Sequence, residues 1–178
     1  MKTFAKQILL VALLFVAVAV QAQKPYKHSI GLSVGSFEGA SYKVFLTNEV
    51  ALQTDLGFRM LRTQVGGHDY SGAESFYTFE VNPNALYQGS ITGWNWGGVA
   101  WFAGGGMSLG LAHDFGSSGP TYGKWGFNAI GGAELGLDDA PLAFSLDFRP
   151  GYGVLFHSDF EPLSFFDWAL VAGIRYTF

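Results

Sequence analysis

Reading backward from the C-terminus, Trp168, Leu170, Ala172, Ile174, Tyr176 and Phe178 share one parity, while Asp167, Ala169, Val171, Gly173, Arg175 and Thr177 share the other. Successive side chains of a strand point to opposite faces, so this alternation predicts a strand with one large apolar face and one small or polar face. The same split recurs upstream. Leu142, Phe144, Leu146 and Phe148 oppose Ala143, Ser145, Asp147 and Arg149, and Leu52, Thr54, Leu56, Phe58 and Met60 oppose Gln53, Asp55, Gly57 and Arg59. Extended along the chain and broken at its turn residues, the pattern predicts eight strands, at 28–36, 39–46, 50–61, 75–87, 98–112, 124–137, 142–153 and 166–178.

In a water-soluble sandwich or ligand-binding barrel the large apolar face would be the interior. Two features predict the inverse. The polar face is unusually small, with Gly31, Ser33 and Gly35 early and Gly104, Gly106, Ser108 and Gly110 in the middle, which suits the crowded lumen of a narrow barrel. The apolar face ends in aromatic residues at both extremities: Tyr77, Trp125, Tyr152 and Trp168 toward one rim, Tyr87, Trp101, Tyr176 and Phe178 toward the other. Two aromatic girdles around an apolar band are what a bilayer-spanning barrel presents. The expected fold class is therefore all-β: an eight-stranded antiparallel up-and-down transmembrane β-barrel. Most strands reach the roughly 9–11 residues needed to cross at a tilt. Closure removes the edges that lipid could not satisfy.

The connections sort by length. Thr47-Asn48-Glu49 and Asp138-Asp139-Ala140-Pro141 are tight and are assigned to the periplasmic end, together with both termini. Segments 62–74, 113–123 and 154–165 are longer and rich in Gly, Ser, Asp and His, and are assigned to extracellular loops. Two connections break this order: a short external turn near Phe37-Glu38 and a long periplasmic stretch at 88–97.

The N-terminus agrees with export. Lys2 and Lys6 precede an apolar run from Ile8 to Val20, and Val20-Gln21-Ala22 forms a small-residue exit. The run has 13 residues, short of the roughly 17–25 of a spanning helix. Residues 1–22 are therefore expected to be a cleaved signal peptide, leaving 23–178 as one barrel domain. Hydrophobic residues make up 49% and charged residues only 13%, about half the usual charged share. No later apolar run approaches the length of a spanning helix, so the surplus is dispersed in short segments among 25 glycines, as strands require. There is no cysteine, which excludes a disulfide framework and a thiolate metal site. After cleavage, eight basic residues face fourteen acidic ones, a net charge of −6. That balance argues against nucleic acid as a partner.

The chain ends Gly173-Ile174-Arg175-Tyr176-Thr177-Phe178. Its Gly173, Tyr176 and Phe178 resemble the C-terminal signal by which the barrel-assembly machinery recognises its clients. The tracts GASYKVFL at 39–46 and GGAELGLDDAPLAFSLDFRP at 131–150 resemble the small outer-membrane β-barrel family common in Bacteroidota, and more distantly the OmpX and OmpA transmembrane-domain class. The resemblance implies residence in the outer membrane of a Gram-negative cell, contact with lipid and lipopolysaccharide, assembly as a monomer, and no cofactor. It implies little about activity.

The lumen-facing parity collects Lys43, Asp55, Arg59, Glu80, Glu134, Asp147, Arg149 and Arg175, four acids and four bases. Isolated buried charges cost several kcal/mol each, so these groups are expected to pair into a network that fills the lumen and fixes strand register. At the outer rim, His68 with Asp69, His113 with Asp114, and His157 with Asp159 offer imidazole and carboxylate ligands for a divalent transition metal. The outer end also reads as acidic, with Glu38, Asp69, Glu74, Asp114, Asp159, Glu161 and Asp167 against Arg62 and Lys124. His157-Ser158-Asp159 has the residue types of a hydrolase, but adjacent residues point in different directions and the His-x-Ser spacing of outer-membrane deacylases is absent. Gly104-Gly105-Gly106 lacks the Lys and helix of a phosphate loop and reads as packing. The expected function is a non-enzymatic barrel with a plugged, charge-paired lumen that serves envelope integrity or surface interaction. A narrow channel or carrier for a small solute, and a lipid A-modifying enzyme, are the alternatives.

Overall fold

The computed structural model describes residues 26–67, 70–114 and 120–178; the expected signal peptide lies outside the described residues. The chain forms eight antiparallel strands in one sheet that closes on itself in sequence order. They are β1 (His28–Gly35), β2 (Phe37–Phe45), β3 (Val50–Gly67), β4 (Tyr70–Trp94), β5 (Gly97–Asp114), β6 (Thr121–Leu137), β7 (Leu142–His157) and β8 (Phe160–Thr177). Closure runs through β1 and β8, paired from Ser29 with Thr177 to Gly35 with Val171. The last residue is tied in as well: Phe178 N–H donates to the His28 carbonyl, and His28 N–H to the Phe178 carbonyl, both at 2.8 Å.

The alternation is oriented as its small polar face requires. Phe144, Leu146, Ile174 and Phe178 are 39%, 55%, 44% and 59% exposed, while Ser145, Asp147, Gly173 and Arg175 between them are buried. The outward surface is thus apolar and the interior polar, the reverse of a soluble barrel.

Three connections differ from expectation. Segment 62–74 is mostly the continuation of β3 and β4, which pair out to Gly67 and Tyr70. Segment 88–97 is no loop: β4 and β5 run on to a turn at Asn95-Trp96. Segment 154–165 is a hairpin closed at Ser158-Asp159. In each case the backbone ladder continues past the point where the sequence pattern placed the strand end. Residues 115–119, inside the expected loop 113–123, lie outside the described residues. Tyr77, Trp125, Tyr152 and Trp168 therefore sit well within their strands rather than at the barrel rim.

The wall is uneven. β1 and β2 turn back at Ser36, after Gly35 takes a φ of 117° that favours glycine. Ser36 N–H donates to the Leu170 carbonyl at 3.0 Å. Beyond the Phe37–Arg59 pair, β3 has no β2 partner, and beyond Gly35–Val171, β8 has no β1 partner. At the other end β4 passes its last β3 partner at Tyr87 and continues to Trp94.

The Gly104 and Gly106 positions are close approaches of β5 to β4. A Cβ at Gly104 would fall on the Ala85 carbonyl oxygen, and one at Gly106 on that of Pro83. The expected packing role thus has a definite geometry. Gly106→Val is expected to abolish folding into lipid or detergent, whereas Ala103→Val, whose side chain points outward, is tolerated. The fraction of protein that gains β-sheet circular dichroism on refolding checks both.

Candidate functional site

The interior is built in layers that follow the strand positions upward from the termini. At the termini end Tyr26, Phe45, Ala51, Leu86, Phe102 and Ile130 form a buried apolar cluster. At the far end Leu61, Phe76, Ala112, Tyr122, Leu155 and Phe165 form another, with Leu163 packed against it. The expected lumen charges form layers in the interior, and Glu134 also borders the space at the termini end.

Glu134 organises the first layer. Its Oε1 accepts hydrogen bonds from Tyr26 Oη at 2.5 Å and Gln88 Nε2 at 2.9 Å. Its Oε2 accepts from Lys43 Nζ at 2.9 Å and faces Arg175 Nη1 at 3.5 Å. Lys43 also donates to Gln88 Oε1 at 2.5 Å and lies 5.0 and 5.3 Å from the ring centres of Phe45 and Phe102. Arg175 is held by Ser145 Oγ at 2.9 Å and Ser41 Oγ at 3.3 Å. Burial, then the neighbouring Glu134 carboxylate, push the Tyr26 phenol far above its ordinary range, so it remains a neutral donor.

Arg149 organises the second layer. It bridges two carboxylates, Asp147 through Nε and Asp55 through Nη1 at 2.7 Å. Gln53 Nε2 donates to Asp55 at 3.0 Å, and the Arg149 guanidinium lies 6.0 Å from the Phe37 ring centre. Above it an amide relay crosses the lumen: Asn128 Nδ2 donates to Asn84 Oδ1 at 2.7 Å, and Asn84 Nδ2 to the Asn82 carbonyl at 2.9 Å.

The third layer joins four charged groups. Glu80 pairs with Lys124, accepts from Ser108 Oγ at 2.6 Å and lies 3.7 Å from Arg59; Arg59 in turn pairs with Asp167. Lys124 and Asp167 were expected on the acidic outer surface, and the structure corrects this by burying both inside. Asp167 shares the parity of Arg175 and Lys124 that of Glu134, so alternation alone could have placed them. Position near a strand end had outweighed it. Gln88 was missed because its segment read as a loop. With these two additions, five cations pair with five anions. The space left beside Arg59, Lys124, Asn128 and Arg149 is about 20 Å³, room for about one water.

Among the described residues the expected outer-rim ligands do not converge. His68 and Asp69 lie outside the described residues. His113 Nδ1 lies 3.0 Å from Thr121 Oγ1, while His157 Nδ1 accepts the Asp159 amide at 3.2 Å and packs edge-on to Tyr122. Asp114 gains no second ligand, as no group of three or more His, Cys, Asp or Glu that could hold a metal forms among the described residues. Glu38, Asp159 and Glu161 are exposed, as a solvated acidic surface requires. In the C-terminal motif Gly173 faces inward and Tyr176 and Phe178 outward, with His28 stacked on Phe178 at 5.6 Å. Compared with known proteins, the chain matches no family model, no curated protein and no solved structure.

Removing one partner of a buried pair leaves an uncompensated charge. Arg149→Met is therefore expected to cost ~3–5 kcal/mol by stranding Asp55 and Asp147. Adding Asp55→Asn and Asp147→Asn is expected to restore most of the loss. Denaturant unfolding followed by tryptophan fluorescence checks both steps.

Proposed function

We propose that this chain is a non-enzymatic outer-membrane β-barrel with a plugged lumen, serving envelope integrity and presenting its long hairpins at the cell surface. The observation that carries the reading is the inverted sheet: large apolar side chains outside, ion pairs inside. In water, so large an exposed apolar surface would drive association; in a bilayer it is the favourable one. Tyr77, Tyr152 and Trp168 on one side of the band, and Tyr87, Tyr176 and Phe178 on the other, supply exposed aromatic residues for the two interfaces.

The uneven wall supports a definite depth of insertion. An unpaired strand edge is not tolerated in hydrocarbon. The outer boundary of the hydrocarbon then falls near Ser36, and the inner one near the Val50–Tyr87 pair. β1 has eight residues between these levels; at about 3.3 Å per residue and a tilt of about 40° they rise roughly 20 Å, near the ~25 Å apolar band of such barrels. The outer ends of β3 to β8 then stand in water above the membrane. Residues 1–22 act as the export signal, and the terminal aromatic motif as the assembly signal.

The apolar caps and the small internal void support a plug rather than a channel. In planar bilayers the purified protein is expected to give no discrete openings, and clear single-channel steps would overturn the plugged reading. On detergent gels the unheated folded form is expected to migrate faster than the boiled one. Single cysteines at Leu146 and at Glu161 of the reconstituted protein should differ sharply in labelling by a water-soluble maleimide, with Leu146 protected. Equal labelling would remove the membrane assignment.

A further inference from the structure

At the termini end the β4–β5 hairpin reaches past β3 and roofs a cavity of about 380 Å³, within the range of small-ligand sites. Its walls are unlike those of the lumen above it. Ser90, Thr92 and Trp94 from β4 line one side, with Asn95 at the turn and Asp138 at the end of β6. A bulge between Ser90 and Thr92 shifts the register of β4 against β5 at this point, a device that re-aims side chains next to binding sites. Glycines leave it room: Gly93, Gly97, Gly98 and Gly136 all border the space. A Cβ built at Gly136 meets nothing within 4 Å, so the volume is open there.

The chemistry of the walls selects a ligand class. Glu134 at the bottom already takes hydrogen bonds from Tyr26, Lys43 and Gln88 and faces Arg175, so its charge is matched. Asp138 is the remaining charge on the lining. No lining cation is present to hold a phosphate or carboxylate. Ser90, Thr92 and Asn95 offer groups that both donate and accept, and the Trp94 indole, which meets Trp96 edge-on at 4.9 Å, borders the space beside them. A sugar ring presents the matching set: an apolar C–H face and hydroxyls that donate and accept.

We propose that this cavity binds a neutral saccharide unit, its ring stacked on Trp94 and its hydroxyl or N-acyl groups bonded to Ser90, Thr92 and Asn95. The site needs the closed ring and the hairpin, not the membrane. Only its biological source rests on the outer-membrane reading, under which the cavity opens toward the periplasm and its glycan.

The test uses folded protein in detergent, with strand content verified by circular dichroism, titrated with chitotriose, maltotriose and spermidine by calorimetry and tryptophan fluorescence. Saturable binding of at least one trisaccharide is expected, with chitotriose the tighter if N-acyl groups are read. Gly136→Leu, which fills open space without a backbone clash, is expected to weaken it at least about tenfold. Trp94→Ala is expected to weaken it roughly three- to tenfold through the lost stack. Absence of binding by both trisaccharides, binding of spermidine alone, or binding indifferent to Gly136→Leu would each overturn the proposal. Cysteine labelling in vesicles reports the membrane reading separately, so either can fail without the other.

Discussion

A ring of eight strands is too narrow to be hollow, and the rest of this molecule depends on that. Side chains from opposite walls meet across the interior, so each inward position must suit a partner several strands away. Glu134 on β6 meets Lys43 on β2 and Arg175 on β8; Arg149 on β7 meets Asp55 on β3. Such pairs are poor sources of net stability, because desolvation consumes most of their attraction. Their physical value lies in register. A one-residue slip of any strand turns its inward set outward, leaving every ionic partner on the opposing walls buried and alone.

The aromatic caps change how that network is read. Water entering from either end would raise the local dielectric and weaken each pair. Phe45, Leu86 and Phe102 below, and Leu61, Phe76 and Phe165 above, restrict its entry, and of the network's ionic groups Glu134 borders the cavity at the termini end. Lys43 and Lys124 use the same rings a second way, their ammonium groups lying 5.0–5.4 Å from the centres of Phe45, Phe102 and Phe165. The interior is thus one cooperative object rather than a string of separate ion pairs.

Much of this was legible in the alternation, because period-2 patterning survives wherever the two faces of a strand meet different media. Asp55, Glu80, Asp147 and Arg175 were placed inside by parity alone. The failures share one cause. Gly and Ser interrupt β4 from Gln88 to Trp94, and Gly and His interrupt β7 past Tyr152, so these strand ends read as loops although the ladder runs on through them. Asp167 and Lys124 stood near those misjudged ends and were assigned to the surface despite their inward parity. The aromatic caps were hidden for a different reason. An inward Phe76 or Phe165 looks like any other apolar strand residue until its cross-lumen neighbours are known. Convergence of loop residues, such as the three His–Asp pairs, is not a property of spacing at all.

A filled interior also directs where function can reside. With no path through the lumen, the ends remain, and they differ in kind. The outer hairpins are long, and beyond the short β1–β2 hairpin β3 and β8 lose their ladder partners and face each other, joined by Arg59 and Asp167. The termini end holds instead an open cavity bordered by Tyr26, Glu134 and several glycines, with the second and third charged layers and the far apolar cap between it and the outer end. The plug isolates the two ends chemically but couples them mechanically. Glu134, at the bottom of the cavity, is tied through Lys43 and Arg175 to β2 and β8, the strands that flank the closure at β1. The charge network therefore ties one wall of that cavity to the strands beside the seam where the ring closes.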